Sequence, residues 1–362
     1  VTAVRKLLVV VGTRPNFVKV TRFREVARKA GIHLELLHTG QHTDHDMTQV
    51  FFDQFDLVPD VSLAIEAGPG ASRIAHMMLA MEPVMQASKP SAVMVVGDVD
   101  STLAGALVAV RSGIPVLHLE SGLRSFDLSM PEETNRKIVD RIARHHFITE
   151  HSALENLQHE GITKENIHFV GNTMIDTLVK FSGRIDADPI LEDLQLAPRR
   201  FVLITMHRPA VVDVEDQLQK LVDLIMVLSE DHMVVFPVHP RTRRNLEKWN
   251  MLATLEAAAN IKVLGPLDHF SFQKMLKESA VVITDSGGVQ EESTFLKVPC
   301  LTLRPNTERP VTVEIGSNRI TTFDRCAQDM QDLPAIRSNA RIPELWDGHA
   351  TDRVFEVLQR VL

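Results

Sequence analysis

Two acidic residues stand where short apolar runs end, and a third follows shortly after them. Asp98 follows Ala92–Val96 within the segment Val96-Gly97-Asp98-Val99-Asp100-Ser101-Thr102, and Glu120 follows Val116–Leu119. Glu132 comes twelve residues after Glu120, in Met130-Pro131-Glu132-Glu133-Thr134-Asn135-Arg136. A carboxylate at the end of a buried strand is costly unless it is paired or functional. The expectation is that Asp98, Glu120 and Glu132 converge on one rim of a sheet as acid/base groups. For Asp100 the plainer role is expected: Asp100 or Ser101 caps a helix beginning near Thr102. Three acids could also hold a metal, but no clustered cysteines support one and the second half of the chain brings a diphosphate site made of protein cations, so no metal or cofactor is expected.

Cationic turns complement these acids. Gly12-Thr13-Arg14-Pro15-Asn16-Phe17-Val18-Lys19 follows the first apolar run, with Pro15 suited to a helix start. Free backbone N–H groups there, with Arg14 and Lys19, would suit a diphosphate; an ordinary βα turn with surface cations is the alternative. Thr205-Met206-His207-Arg208-Pro209 offers a second phosphate-contacting turn, and His239 and Arg241 occupy the equivalent place one strand later. The strongest local signal is Thr284-Asp285-Ser286-Gly287-Gly288-Val289-Gln290-Glu291-Glu292. Its glycines permit close backbone approach to a ligand, and the helix that follows turns its N-terminus towards an anion. Glu292 is placed to accept hydrogen bonds from ribose hydroxyls, and Arg309 is expected at the same rim.

The elements that must position these residues are legible as alternation. Lys6–Val11, His33–Leu37, Ala92–Val96, Val116–Leu119 and His146–Thr149 read as buried strands, separated by helical patterns such as Ile74–Met85 and Lys137–Arg144. After a polar stretch, Ser182–Arg200, read as a linker with an irregular entry, the rhythm restarts. Phe201–Thr205, Met233–Pro237, Ile261–Leu264, Ala280–Thr284 and Cys300–Leu303 supply a second strand set, with Gln217–Leu228 helical between them. This predicts an α/β fold of two doubly wound, Rossmann-type domains with parallel sheets facing a central cleft. The domains are expected at residues 1–180, completed by a C-terminal helix over 349–362, and at 181–348.

With 362 residues, 44% hydrophobic and 24% charged, the chain is expected to be a soluble two-domain protein. A net charge of -8 argues against nucleic acid as a partner. Nothing approaches the ~18 apolar residues of a membrane span, so no membrane partner is expected. Cys300 and Cys326, the only cysteines, imply buried thiols in a cytoplasmic protein rather than a disulfide framework.

Together these segments resemble the non-hydrolysing UDP-N-acetylglucosamine 2-epimerase family. GTRPNFVK, TGQH (39–42), GDVDSTLAGAL, HLESGLRSFDLSMPEETNR, VGNTMID (170–176), TMHRP, DSGGVQEE and RPNTERPVTVEIG occur in the family's order and spacing. The resemblance implies a GT-B-like fold and inversion of C2 of UDP-GlcNAc to give UDP-ManNAc, by elimination of UDP to 2-acetamidoglucal and re-addition. It implies that Asp98, Glu120, Glu132 and His207 are catalytic. Arg14, Lys19, Arg136, Phe272, Ser286, Gly287, Gly288, Glu292 and Arg309 are implied in binding the UDP-sugar, with Phe272 beside the uracil. Gln41, His42 and His239 match parts of an allosteric UDP-GlcNAc site, and a homodimer is implied by the family alone.

Four positions depart from the family pattern. Val211 replaces an Asn, Asp100 replaces an Asn and adds negative charge close to Asp98, and Thr43 and His45 stand where Tyr is frequent. The competing readings are a hydrolysing epimerase, an epimerase of a modified UDP-sugar, and a GT-B glycosyltransferase.

Overall fold

The computed structural model describes residues 5–40, 52, 54–65 and 68–362. The chain divides into two compact units, 1–180 with 344–362 and 181–343.

In the first unit, β1 (Lys6–Val11), β2 (His33–His38), β3 (Val61–Ser62), β4 (Ala92–Val96), β5 (Val116–Leu119), β6 (His145–Ile148) and β7 (Ile167–Phe169) form one sheet in the order β3-β2-β1-β4-β5-β6-β7. Every pairing is parallel. β1 and β4 lie at its centre, and Leu7 through Val11 and Ala92 through Val96 are buried, as a strand covered on both faces requires. The order reverses between β1 and β4, which makes the carboxyl ends of those strands the ligand crevice of this sheet type.

The second unit repeats the plan. β8 (Phe201–Thr205), β9 (Met233–Pro237), β10 (Ile261–Leu264), β11 (Val281–Thr284), β12 (Cys300–Leu303) and β13 (Asn318–Thr321) run β10-β9-β8-β11-β12-β13, again all parallel. Here the switch point falls between β8 and β11. Cys300 and Cys326 are both buried free thiols.

Three strands were not expected from sequence: β3, β7 and β13. All three are edge strands, and residues such as Ile167, His168 and Phe169 are only partly buried. An edge strand needs no continuous apolar run, so the signal used for the central strands is missing. The helix expected over Lys137–Arg144 is Pro131–Ile142, with Pro131 at its start and Glu132 and Glu133 in its first turn; acids there complement the helix dipole.

The polar stretch after residue 181 is packed structure, which corrects the linker reading. Ser182–Asp186 and Ile190–Asp193 are helical, Ile185 and Leu191 are buried, and Lys274 Nζ donates to the Asp186 carbonyl at 3.0 Å. Its apolar residues are spaced too irregularly to read as a helix, yet Leu191 joins a core cluster of the second unit, with Ile190, Leu194 and Leu196 packed against it.

The last helix, Ala350–Val361, belongs to the first unit. Val354, Phe355, Val357 and Leu358 are buried, and the Phe355 ring stands 5.3 Å from that of Phe23. Asp176 accepts hydrogen bonds from Ala350 N (3.0 Å) and Thr351 N (2.6 Å), so a carboxylate from another helix satisfies the free N–H groups at this helix start. Among the described residues no helix is long and apolar enough to cross a membrane.

Candidate active site

At the first switch point the chain turns from β1 through Gly12 and Thr13 into a five-residue helix, Arg14–Val18. Two of the backbone N–H groups expected to face an anion, those of Gly12 and Thr13, are engaged within the turn. Asn16 Oδ1 accepts from Gly12 N (3.2 Å), Thr13 N (3.1 Å) and Thr13 Oγ1 (3.1 Å). The other end of the Asn16 amide donates to the Val96 carbonyl at 3.1 Å, stitching the β1 turn to the end of β4. Arg14 is half-buried. Lys19 is 9% exposed and forms an ion pair with Glu120, itself 7% exposed.

Glu120 has a left-handed backbone, with φ of 67°. Such a conformation is uncommon away from glycine and clusters at functional sites. Gly97 shares it, also with φ of 67°. A Cβ at Gly97 would stand 3.5 Å from both Asn16 Nδ2 and Lys19 Nζ and 3.6 Å from Glu120 Oε2. These three polar groups therefore crowd around one backbone position, and Asp98 follows it directly. The Asp98 side chain is 26% exposed and is paired with Arg136, which is itself buried and paired on its other side with Glu133. Arg136 thus braces the acid, with little of its own surface left for a ligand.

Of the two neighbouring glutamates, the buried one is Glu133. It accepts from Ser125 N and Ser125 Oγ at 2.9 Å and from Phe126 N at 3.2 Å, which fixes the loop before the helix. Glu132 is half-buried.

Asp100 corrects the capping expectation. The helix Asp100–Arg111 begins two residues earlier than expected, its cap is Val99, and no side chain bonds the cap. The Asp100 carboxylate instead receives Arg73 Nε at 2.8 Å and Asn135 Nδ2 at 3.3 Å. Asn135 also donates to the Asp98 carbonyl at 3.0 Å. The extra negative charge at this position is therefore matched by Arg73, a partner 27 residues away that no local pattern announces. Val211, the other departure within the described residues, is a buried member of the second unit's core.

Beneath the acids lies a buried polar network that the sequence reading passed over. His118 accepts or donates at both ring nitrogens: Nδ1 lies 2.6 Å from Asp140 Oδ1 and Nε2 lies 2.7 Å from the Gly97 carbonyl. Asp140 also accepts from Gly122 N at 3.1 Å and pairs with Arg124 at 2.7 Å. Burial alone would raise the Asp140 carboxyl, but His118, His146 and Arg124 outweigh it and hold the group well below the ordinary carboxylate range. One ionised side chain thus supports the backbone after β4 and after β5 together.

In the second unit His207 follows β8 and Asp285 follows β11, on either side of the switch point. His207 Nδ1 lies 2.9 Å from Asp285 Oδ1. Ser286 caps the helix Gly287–Phe295, its hydroxyl facing Val289 N at 3.5 Å. A Cβ at Gly287 would lie 2.6 Å from Arg309 Nη1, so only glycine lets this helix start lie against that guanidinium. Gly288 follows, half-buried. Arg309 is buried beside Glu291 (2.9 Å), while Glu308 is enclosed by Arg304 (2.6 Å), Arg208 (3.2 Å) and Arg309 (4.0 Å). Burial would raise the Glu308 carboxyl, yet the three arginines depress it far below the usual range. The guanidiniums of Arg208, Arg304 and Arg309 thus gather at one rim, set among the carboxylates of Asp285, Glu291 and Glu308, and guanidiniums are the donors a diphosphate calls for.

Glu292 is buried, and burial raises its carboxyl from 4.5 to about 7 against a hydrogen bond from Gln273. Phe272 is half-buried against the unit's smaller core cluster. His239 caps the helix Pro240–Lys248 by accepting from Arg241 N at 3.2 Å, with its ring 6.1 Å from that of His207. Gln41 and His42, with Thr43 and His45, lie outside the described residues.

Residues 24–359 match the family described as UDP-N-acetylglucosamine 2-epimerase. The chain belongs to that family. It is 38% identical over 319 residues to the UDP-N-acetylglucosamine 2-epimerase of Methanocaldococcus jannaschii, covering 86% of this chain and 87% of that one. It is 36% identical over 323 residues to the UDP-2,3-diacetamido-2,3-dideoxy-D-glucuronate 2-epimerase of Pseudomonas aeruginosa, covering 86% and 87%. Among solved structures, the M. jannaschii UDP-GlcNAc 2-epimerase in complex with UDP-GlcNAc and UDP aligns over 98% of this chain and 99% of its own, with a TM-score of 0.90 and 34% identity. The fold of this family member is thus α/β and GT-B-like, with two doubly wound parallel sheets, as expected from its sequence.

Proposed function

We propose that this chain inverts C2 of UDP-N-acetylglucosamine, interconverting it with UDP-N-acetylmannosamine. The C2 proton has no neighbouring carbonyl to acidify it, so the reaction is an elimination and re-addition. A base takes the C2 proton as the bond from C1 to the UDP oxygen breaks, leaving UDP and 2-acetamidoglucal with a C1–C2 double bond. The UDP oxygen then bonds to C1 again while a proton is delivered to the opposite face of C2. No water is consumed, which makes the enzyme non-hydrolysing.

The observation that carries this reading is the arrangement around Gly97: the Lys19–Glu120 pair beside it and Asp98, braced by Arg136, directly after it. Acids held in place by cations at a switch point suit proton transfer at a bound sugar. Glu132 completes the acid set, and His207 is a further proton-handling group. Arg14, Ser286, Gly287, Gly288 and Arg309 hold the diphosphate, Glu292 the ribose and Phe272 the uracil. The guanidiniums gathered at Arg208, Arg304 and Arg309 support stabilisation of the departing UDP. Residues 1–180 with the C-terminal helix form the acid-bearing domain, and residues 181–343 form the UDP-binding domain. The family reading further makes the protein a cytoplasmic homodimer needing no metal or redox cofactor, with Gln41, His42 and His239 in an allosteric site.

A second reading, an epimerase of a carboxylated UDP-diacetamido sugar, draws support from the Pseudomonas relative, which is nearly as similar as the archaeal one. Proton NMR of each sugar nucleotide incubated with the protein in D₂O separates them. Deuterium at C2 of newly formed UDP-ManNAc is the expected result. Free ManNAc would make the enzyme hydrolysing, and inversion of the uronate alone would establish the second reading.

A further inference from the structure

Asp285 is engaged on every side by its own unit. Wholly buried at the end of β11, it accepts at Oδ2 from His207 N (3.0 Å) and Arg208 N (2.7 Å). Its Oδ1 lies 3.2 Å from His207 N and 2.9 Å from His207 Nδ1, and its backbone carbonyl accepts from Arg208 Nε at 2.9 Å. The His207 side chain, by contrast, is 43% exposed. Burial would raise the Asp285 carboxyl, but the His207 ring and the two backbone N–H groups outweigh it and hold the group below its ordinary value. An ionised carboxylate can only accept hydrogen bonds. The nitrogen facing it must therefore carry the proton, and the lone pair of the neutral ring is left on Nε2.

We propose that Asp285 is a positioning residue that locks His207 in its Nδ1–H tautomer, making Nε2 the atom that takes up and returns a proton. This rests on the reading above in which His207 handles protons during the reaction. The geometry also dictates what an amide would do at this position. In Asp285→Asn the single amide oxygen is claimed by the two backbone N–H groups at the Oδ2 position. The NH₂ group then faces Nδ1 and donates to it, which drives the proton to Nε2. The outward nitrogen changes from a base to a donor with almost no change in shape.

The test combines a spectroscopic and a kinetic measurement. Nitrogen-15 NMR of histidine-labelled protein, with the His207 signals assigned by their loss in His207→Asn, should show a protonated Nδ1 and an unprotonated Nε2 in the unaltered protein. The assignment should invert in Asp285→Asn, with kcat falling by about 10²–10⁴-fold, the range of a lost acid/base group, and KM changing little. A protonated Nε2 in the unaltered protein overturns the inference, and it does so even if the variant fails to fold. An Asp285→Asn enzyme with unaltered kcat overturns it as well. If the unaltered protein leaves UDP-GlcNAc untouched, the proposed function falls, while the tautomer measurement still decides the role of Asp285.

Discussion

Glu292 sits in the helix Gly287–Phe295, walled in beside Glu291 and hydrogen-bonded by Gln273, and burial lifts its carboxyl from 4.5 to about 7. Replacing it by Gln should stabilise the protein in a pH-dependent way. A carboxyl whose pKa is raised by folding contributes its full stability below about pH 4.5 and loses it as pH rises through about 7. At about 1.4 kcal/mol per pH unit of displacement, the ionised side chain costs the folded state roughly 3 kcal/mol at pH 8. Glutamine does not titrate, and its amide can also donate to Gln273 Oε1, which has no hydrogen-bond partner among the described residues. The advantage of Glu292→Gln over the unaltered protein should therefore grow by roughly 2 to 3 kcal/mol between pH 5 and pH 8. Urea unfolding at both pH values reads this directly, and thermal unfolding should show a shift of about 2–4 °C per kcal/mol. The same variant should bind UDP more weakly at pH 8, because the ribose hydroxyls are expected to donate to the ionised carboxylate. In the unaltered protein UDP affinity should fall as pH drops below about 7. Parallel stability curves for the two proteins across this range would refute the reasoning, since they would mean that Glu292 ionises in the folded state as easily as in the unfolded chain.

Asp98→Asn and Glu120→Gln should each lower turnover by about 10²–10⁴-fold while UDP binding by calorimetry persists; full activity in either would remove that residue from the chemistry. Gly287→Ala places a methyl 2.6 Å from Arg309 Nη1 and must displace the guanidinium, so UDP affinity should weaken about tenfold, the equivalent of one charge-assisted hydrogen bond. An unchanged dissociation constant would show that Arg309 does not touch the nucleotide. Asp176→Ala leaves Ala350 N and Thr351 N without their acceptor and should cost about 2 kcal/mol, with early proteolytic release of the C-terminal helix. A protease pattern identical to the unaltered protein would contradict it.

The central strands were legible because a strand covered on both faces must be a continuous apolar run, and β1, β4, β8 and β9 are such runs. The acids and turns were legible for a related reason. A polar residue directly after a buried strand lies at the sheet's carboxyl edge whatever the rest of the chain does, which marked Asp98, Glu120, His207 and the Ser286–Gly288 loop. Edge strands such as β7 and β13 escaped, since one exposed edge relaxes the demand for apolar residues. Ser182–Arg200 looked like a linker because short helices packing one or two side chains each leave no period to detect.

What sequence by itself determined was therefore the alternation of elements, the residues at strand ends and the family they resemble, all of which depend on neighbours along the chain. Tertiary structure alone decided the partners. Lys19 meets Glu120 across 101 positions, Arg73 meets Asp100 across 27, and Asp285 meets His207 across 78. It also decided that Glu133 rather than Glu132 is the buried glutamate, and that Asn16 engages the Gly12 and Thr13 N–H groups of the turn expected to hold an anion. A charge reveals in sequence that it needs a partner, but parallel sheets bring distant strand ends side by side, and only the folded chain specifies which partner it receives.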